Sequence, residues 1–164
     1  MITNFDIDEI GKSLKLNIVG VFSKDQLPQK RSIGSYYINM EDHDKGNGTH
    51  WVFARIFPNG KAIYFDSFGV QTPEQVRDFL KPFSPFACNI RQIQDIKSDN
   101  CGRFCILLDN YFTNEVKIGR GRRSVKKKAV PYNVDELYDD WLNSWSINTM
   151  MNDKILRERW VKLG

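Results

Sequence analysis

Two stretches rich in β-branched and aromatic residues, separated by a turn signal, form the clearest strand pattern in the sequence. Residues 50–57 and 61–65 flank Pro58-Asn59-Gly60, an arrangement that is typical of a β-hairpin. Folding at this turn brings His50 to within about two or three residues of register with Asp66. Because neighbouring strands lie about 4.8 Å apart, we expect the two side chains to meet at one end of the sheet.

Two helices are predicted in the first half of the chain from their capping residues. Asp6 as N-cap and Glu9 three residues later have the spacing of a capping box, which predicts a short first helix. A second surface helix is predicted over 73–81, with Thr72 as its cap and Pro73 at its first position.

Further strands and helices follow from composition and periodicity. A run rich in Tyr and Ile predicts a strand over 34–40, and another strand is predicted over 88–93. Near the carboxyl end, Asn133 or Asp135 can begin a helix, and a last helix is predicted over 153–163.

The pattern changes to helical periodicity from residue 101 onward. Apolar side chains recur there with the i, i+3, i+4, i+7 spacing of one buried helix face: Cys101, Phe104, Cys105, Leu108, Tyr111 and Phe112. Ser98, Asp99 or Asn100 can supply the N-cap. The spacing therefore places Cys101 in the first turn of a largely apolar helix.

Length and composition indicate one ordinary folded domain that spans residues 1–164. Hydrophobic residues make up 41% of the chain and charged residues 27%, which argues against a disordered or collagen-like protein. The longest apolar runs fall far short of the roughly 20 residues that cross a bilayer. Acidic residues stand near the amino end in place of a basic flank, so we expect a protein that is neither membrane-bound nor secreted.

The cysteine and histidine content argues against a metal site. The three cysteines at positions 88, 101 and 105 are too few for a disulfide scaffold, and a reducing compartment is therefore expected. Their spacings contain no C-x-x-C pair, and His43 and His50 complete no familiar ligand pattern.

One basic segment carries the excess positive charge of the chain. Residues 117–128 contain no acidic residue and seven basic ones: Lys117, Arg120, Arg122, Arg123, Lys126, Lys127 and Lys128. The rest of the chain carries 17 basic against 20 acidic residues, so it is mildly acidic. Two interpretations are open: a segment that binds the phosphates of double-stranded DNA, or a flexible solvated loop inserted between helices.

Cys101 has the position of a nucleophile, because the amino end of a helix favours a thiolate and can also receive an oxyanion. His50 is a candidate base, Asp66 the acid that orients it, and Gln94 a side-chain N–H donor seven residues before Cys101. Each also has a structural interpretation. His50 would then be a strand-end histidine, Asp66 a turn-forming residue and Gln94 a solvent-facing strand residue.

Four short motifs contain these residues: Gly48-Thr49-His50-Trp51, Tyr64-Phe65-Asp66-Ser67-Phe68-Gly69, Gln92-Ile93-Gln94 and Asn100-Cys101-Gly102-Arg103-Phe104-Cys105. They resemble the adenovirus protease (adenain) family, and their order also marks the wider clan of SUMO and ubiquitin-like proteases. The viral branch, which includes virophage and polinton enzymes, is the more similar one. The similarity covers about residues 1–112. Asp66 departs from it, because the adenovirus enzymes carry Glu there.

The resemblance implies an α+β fold, namely a papain-like cysteine protease fold in circularly shifted order, with a mixed central sheet flanked by helices. It implies that Cys101 is the nucleophile, that His50 is general base and acid, and that Asp66 orients His50. The Gln94 side chain and the Cys101 backbone N–H would form the oxyanion hole. Trp51 would wall the substrate channel so that only Gly passes near the scissile bond; its alternative is a core aromatic.

The implied activity is that of a cysteine endopeptidase that cleaves viral capsid or core precursor proteins near small residues, often Gly, during virion maturation. Such an enzyme would be a monomer in the virion and the infected-cell interior and would need no cofactor for its chemistry. The adenovirus relatives are activated by DNA and by a short viral peptide joined through a disulfide. Cys88 is the candidate cysteine for that disulfide, and its alternative is a small buried strand residue.

Three other functions are compatible with parts of this pattern. A deconjugase of SUMO- or ubiquitin-like modifiers shares the triad but needs an extended surface for a folded modifier. An acetyltransferase could pass an acyl group through the same thioester, although nothing in the sequence indicates an acyl-CoA site. A DNA-binding or capsid-associated protein with a decayed triad is the non-enzymatic alternative, and the intact Cys101, His50, Asp66 and Gln94 argue against it.

Overall fold

The described part of the chain forms a mixed sheet whose five strands lie in chain order. The computed structural model describes residues 2–41, 50–126 and 132–163, with the backbone alone for 117–126. The strands are β1 (Ile18–Ser23), β2 (Gly34–Asn39), β3 (Trp51–Ile56), β4 (Ala62–Phe65) and β5 (Ala87–Cys88). The outer pairs, β1 with β2 and β4 with β5, are parallel. The central pairs, β2 with β3 and β3 with β4, are antiparallel.

Helices cover both faces of this sheet. The helices are α1 (Asn4–Ser13), α2 (Glu74–Leu80), α3 (Cys101–Lys126), α4 (Val134–Asn143) and α5 (Thr149–Val161), and a one-turn 3-10 helix (Lys81–Phe83) follows α2. Residues of α1, α3, α4 and α5 pack on one face of the sheet, and α2 packs on the other. Every residue of β2, β3 and β4 is therefore buried. The predicted α+β class, a mixed central sheet flanked by helices, is confirmed.

The hairpin predicted around Pro58-Asn59-Gly60 is present as β3 and β4. Phe53 pairs with Phe65 in its antiparallel register. Gly60 has a φ of +82°, a left-handed conformation that glycine adopts without strain. Continuing the register past Phe65 brings Asp66 to within two residues of His50, so the turn sets the separation of the two side chains.

The first helix begins earlier than its predicted start. Its N-cap is Thr3, and the prediction of Asp6 as the cap is wrong. The Thr3 hydroxyl accepts a hydrogen bond from the Asp6 N–H (3.2 Å), and the Asp6 carboxylate accepts one from the Thr3 N–H (2.8 Å). This reciprocal pair satisfies two N–H groups at once, which is why the capping box forms at Thr3 and Asp6.

Other boundaries also differ from the prediction. Pro73 is the N-cap of α2 and no side chain caps that helix, so Thr72 as cap is wrong. The strand predicted over 88–93 ends at Cys88, because Ile93 turns back and donates its N–H to the carbonyl of Ser67 (2.8 Å). Strand β1 had no prediction, since its residues are all half-buried and show no alternation.

Helices α3 and α4 begin where they were predicted, whereas α5 does not. α3 begins at Cys101 as predicted, and its helical backbone extends to Lys126 where a loop was one interpretation. The side chains of the basic residues up to Lys126, together with Lys127 and Lys128, lie outside the described residues. Asn133 caps α4 as predicted. α5 begins earlier than the predicted 153–163, because Asn148 supplies its cap.

Among the helices that the structure describes, none combines the length and the apolar character needed to span a membrane.

A buried ion pair joins α3 to the sheet. Arg55 on β3 donates to the carboxylate of Asp109 on α3 over 2.9 Å. Asp109 is fully buried and also accepts from the hydroxyls of Ser35 (2.5 Å) and Tyr37 (2.8 Å). Burial raises the pKa of Asp109, and the charge of Arg55 and these hydrogen bonds act against that rise. The partners lie on β2 and β3, so the carboxylate fixes α3 against the centre of the sheet.

Replacing Arg55 with Met should lower the free energy of unfolding by about 3–5 kcal/mol, because the Asp109 carboxylate is then buried without its charged partner. Urea denaturation followed by tryptophan fluorescence measures the change. Arg77→Met, on an exposed position of α2, is the control and should change stability by less than about 0.5 kcal/mol. Equal stability of the two variants would show that the ion pair does not hold α3 on the sheet.

Candidate active site

His50 and Asp66 meet at the end of the hairpin, as the sequence predicts. His50 Nε2 lies 2.7 Å from Asp66 Oδ1. Asp66 is almost fully buried directly after β4, and its Oδ1 also accepts the backbone N–H of Phe68 (2.9 Å). His50 Nδ1 is buried and has no hydrogen-bond partner among the residues that the structure describes. The carboxylate therefore fixes the ring through one nitrogen and leaves the other available for proton exchange.

Cys101 lies beside the strand that begins next to His50. The backbone N–H of Trp51 donates to Cys101 Sγ over 3.4 Å. One helical turn later, the Cys105 thiol donates to the carbonyl of Trp51 over 3.8 Å. The two thiols thus bracket the backbone of one residue of β3, the neighbour of His50 in the chain. This arrangement brings the start of α3 next to the residue that follows His50.

The pKa values of His50 and Cys105 are both raised, for different reasons. Burial lowers the pKa of His50, but Asp66 and Cys101 act against it and raise that pKa to about 9. With that pKa His50 is protonated at neutral pH, close to the amino end of α3 where Cys101 begins the helix. Burial raises the pKa of Cys105 well above its usual value, so Cys105 stays a thiol. Of the two thiols of α3, Cys101 is the one that acts on His50, and its role as the nucleophile stays a prediction.

Asn89 holds the backbone of Asp66, and sequence analysis missed it. Its Oδ1 accepts from the Asp66 N–H (3.0 Å), and its Nδ2 donates to the Asp66 carbonyl (2.6 Å). The Tyr138 hydroxyl donates to the carbonyl of Tyr64, two residues before Asp66 (2.7 Å). These bonds tie the end of β4 to residues 23 and 74 positions away, and a separation of that kind leaves no local signal in the sequence.

Gln94 lies in a different environment from the one predicted. It is fully buried in a loop, so the solvent-facing strand interpretation is wrong. Its Oε1 accepts from the Ser67 hydroxyl (2.5 Å). Its Nε2 donates to the Ser98 carbonyl (2.8 Å) and makes a longer bond to the Ser98 hydroxyl (3.2 Å). The side chain therefore braces the loop that leads to Cys101, and its role as an oxyanion donor stays a prediction.

Helix α5 contacts the same loop through Asp153. Asp153 Oδ1 accepts from the Ser98 hydroxyl (2.5 Å) and from the Asn100 side-chain amide (3.0 Å). The Asn100 backbone N–H in turn donates to the Ser98 hydroxyl (3.2 Å). Ser98 and Asn100 were both predicted caps of α3, but their anchor lies more than fifty residues later in the chain. Asp153 therefore helps to fix the position of Cys101 at the start of α3.

The Trp51 ring packs inside the protein. It is 5% exposed, and its indole N–H donates to the carbonyl of Ile2 (2.9 Å). A Cβ at Gly102 would lie 3.2 Å from the Trp51 ring, so glycine there allows α3 to approach closely. The burial favours the core interpretation of Trp51, and its contact with a substrate stays a prediction.

Cys88 is an exposed free thiol on β5, so the interpretation as a small buried strand residue is wrong. Cys101 and Cys105 are free as well. In the described ranges, no group of three histidine, cysteine or acidic side chains is arranged to hold a metal ion.

Comparisons with known proteins show no family for this chain. No family model matches it. No curated protein matches it. A crystal structure of the ASFV pS273R protease is similar at 15% identity and a TM-score of 0.44, over 68% of this chain and 58% of that one. At this TM-score the similarity supports no conclusion about function, and the resemblance to the adenain family stays a prediction from the sequence motifs.

Stability should depend on pH through His50. Its folded-state pKa of about 9 exceeds the ordinary value of 6.5, so its contribution is complete below about pH 6.5 and is lost as the pH rises through 9. Burial alone would lower the pKa of His50, and the negative charge of Asp66 counteracts that effect. Asp66→Asn removes this charge and should therefore lower the pKa of His50. The loss of unfolding free energy between pH 6.5 and 9 should shrink by about 2–3 kcal/mol in this variant.

Urea denaturation at several pH values between 6 and 9.5 measures this difference. Asp78→Asn, at an exposed position of α2, is the control and should keep the pH dependence of the wild type. The same pH dependence in Asp66→Asn would mean that Asp66 does not hold His50 in its protonated form.

Proposed function

We propose that the protein is a cysteine endopeptidase with Cys101, His50 and Asp66 as its catalytic triad. One observation carries the proposal: Asp66 and Cys101, at the start of α3, both act on the imidazole of His50. Asp66 contacts its Nε2, and Cys101 helps to raise its pKa, while its Nδ1 is buried. Acyl transfer by a thiol needs a nucleophile, a base that exchanges its proton and an acid that orients the base. The contact between His50 and Asp66 and the raised pKa of His50 support this assignment.

The proposed reaction has two stages. The Cys101 thiolate attacks the carbonyl carbon of the scissile peptide, and the carbonyl electrons move onto oxygen. His50 then donates its Nδ1 proton to the amine as the C–N bond breaks, which leaves a thioester on Cys101. In the second stage the now neutral His50 takes a proton from water, and the water oxygen attacks the thioester carbon. The C–S bond then breaks, which releases the acid product and restores the Cys101 thiolate beside the protonated His50.

The oxyanion would form at the amino end of α3, where the first backbone N–H groups have no partner within the helix. We propose the Cys101 N–H and the Gln94 side chain as its donors. Gln94 Nε2 carries two N–H groups, and its bond of 2.8 Å to the Ser98 carbonyl uses one of them. The second makes only the longer bond of 3.2 Å to the Ser98 hydroxyl, which an oxyanion would replace.

Narrow access to the nucleophile supports a substrate with small residues at the scissile bond. Cys101 is 2% exposed, whereas the His50 side chain is 17% exposed. We propose that a substrate reaches Cys101 past the more exposed His50, where a Gly backbone would meet the least steric resistance. Together with the adenain resemblance, this supports viral structural precursor proteins as the substrates and virion maturation as the setting.

The proposal extends to an activating viral peptide and to DNA. Cys88 is exposed and free on β5, at the edge of the sheet, where a peptide thiol could reach it. Five of the seven basic residues of 117–128 fall within the helical backbone of α3 and could contact DNA phosphates. A deconjugase would share the triad, and its modifier would have to be a folded protein in place of an extended peptide.

Cys101→Ala should abolish hydrolysis of a Gly-containing peptide while leaving the fold intact, because it removes the nucleophile and little volume. Fluorogenic peptide hydrolysis and a thermal melt measure the two effects. Cys105→Ala, one helical turn away and buried as a thiol, is the matched control. It should destabilise the fold modestly and keep kcat/KM within about tenfold. Retained turnover in Cys101→Ala would contradict the proposed function.

Gln94→Ala should lower kcat by about 10²–10³ and leave KM nearly unchanged, because an oxyanion donor acts on charge that develops only in the transition state. Steady-state kinetics separate the two constants. Asp153→Ala loosens the same loop from α5 without touching the amide of Gln94 and is the control for a bracing role alone. If both variants gave the same change in kcat and KM, Gln94 would brace the loop and would not contact the oxyanion.

A further inference from the structure

We infer that Phe68 is a positioning residue for His50, acting on the base through its ring and on the acid through its backbone. The inference rests on the proposed role of His50 as the base. The ring of Phe68 stacks on the imidazole, with centroids 4.7 Å apart and planes 28° apart. Its backbone N–H donates to Asp66 Oδ1 over 2.9 Å, the oxygen that contacts His50. One residue therefore fixes both members of the pair.

A tight turn sets the place of Phe68. The Gly69 N–H donates to the Asp66 carbonyl over 2.8 Å, which closes the turn that carries Phe68. Gly69 has a φ of +69°, and a Cβ there would lie 2.8 Å from the Arg91 carbonyl carbon. Only glycine fits this position without strain or a backbone clash. The turn is thus pressed against the chain at Arg91, and the ring of Phe68 is held over His50.

The packing of Phe68 argues against a purely structural role. Among the described residues, Phe68 belongs to neither of the two hydrophobic clusters that flank the sheet, and it is only half-buried. A half-buried phenyl ring that lies outside both clusters needs another contact to hold it in place. The imidazole of His50 is that contact.

The stack favours the protonated form of His50. The face of an aromatic ring carries partial negative charge and attracts a cation. The titratable groups that act on His50 within the described residues are Asp66 and Cys101, both of which also favour its protonation. Phe68 adds a contact that carries no charge. It holds the plane of the ring so that Nε2 contacts Asp66 and Nδ1 stays buried.

The test is an NMR titration of His50 in folded protein. The sequence has two histidines, so a His43→Gln background leaves His50 as a single signal. Phe68→Leu should lower its titration midpoint by about 0.5–1 pH unit, which is a three- to tenfold fall in the ratio of imidazolium to imidazole. Phe68→Tyr keeps an aromatic ring and should leave the midpoint within about 0.2 pH units of the wild-type value. Phe83→Leu removes a half-buried ring on the other face of the sheet and should leave the midpoint unchanged.

Activity supplies the second readout. The alkaline limb of kcat/KM for peptide hydrolysis should move to lower pH in Phe68→Leu by the same amount as the NMR midpoint. In Phe68→Tyr the alkaline limb should stay at its wild-type pH. An unchanged midpoint in Phe68→Leu, or an equal fall in Phe83→Leu, would overturn the inference. If Phe68→Leu does not fold, Phe68→Met takes its place under the same criteria. Absence of hydrolysis in the wild type would overturn the proposed function, while the NMR midpoints would still decide the role of Phe68.

Discussion

The contact between His50 Nε2 and Asp66 Oδ1 is the interaction on which the rest of the site depends. The Asp66 carboxylate is almost fully buried at the end of a hairpin. Burial of a carboxylate is costly unless a positive partner and hydrogen bonds stabilise its charge. The register of β3 and β4 sets the distance between the two residues, and Asn89 fixes the backbone that carries the acid. The imidazolium that results is the group that can turn a neighbouring thiol into a nucleophile.

The docking of α3 brings Cys101, the proposed nucleophile, close to this pair. The ion pair between Arg55 and Asp109 holds α3 against the centre of the sheet, two turns beyond Cys101. At the start of the helix, the backbone of Trp51 contacts both thiols, and Asp153 anchors the preceding loop. Three parts of the structure thus position Cys101: the centre of the sheet, the first residue of β3, and α5. A shift in any of them would move the thiol relative to the base.

Sequence patterns predicted the parts of the site that depend on local chemistry. The turn at Pro58-Asn59-Gly60 and the apolar spacing after Cys101 depend on neighbours in the chain, so the hairpin and the start of α3 were predictable. The burial of Gln94 and the contacts of Asn89 and Asp153 depend on residues more than twenty positions away, and no spacing encodes them. The start of α1 was misplaced for a different reason, because Thr3 and Asp6 offered a second capping box within the same few residues.

The central claim is that Cys101 attacks a carbonyl carbon and carries the acyl group as a thioester. The most direct measurement is mass spectrometry of the protein after brief reaction with a peptide ester ending in Gly and an acid quench. The account predicts one acyl group per chain, mapped to Cys101 after digestion, and none in His50→Ala under the same conditions. An acyl group on Cys88 or Cys105, equal labelling in His50→Ala, or no labelling of the wild type would contradict it.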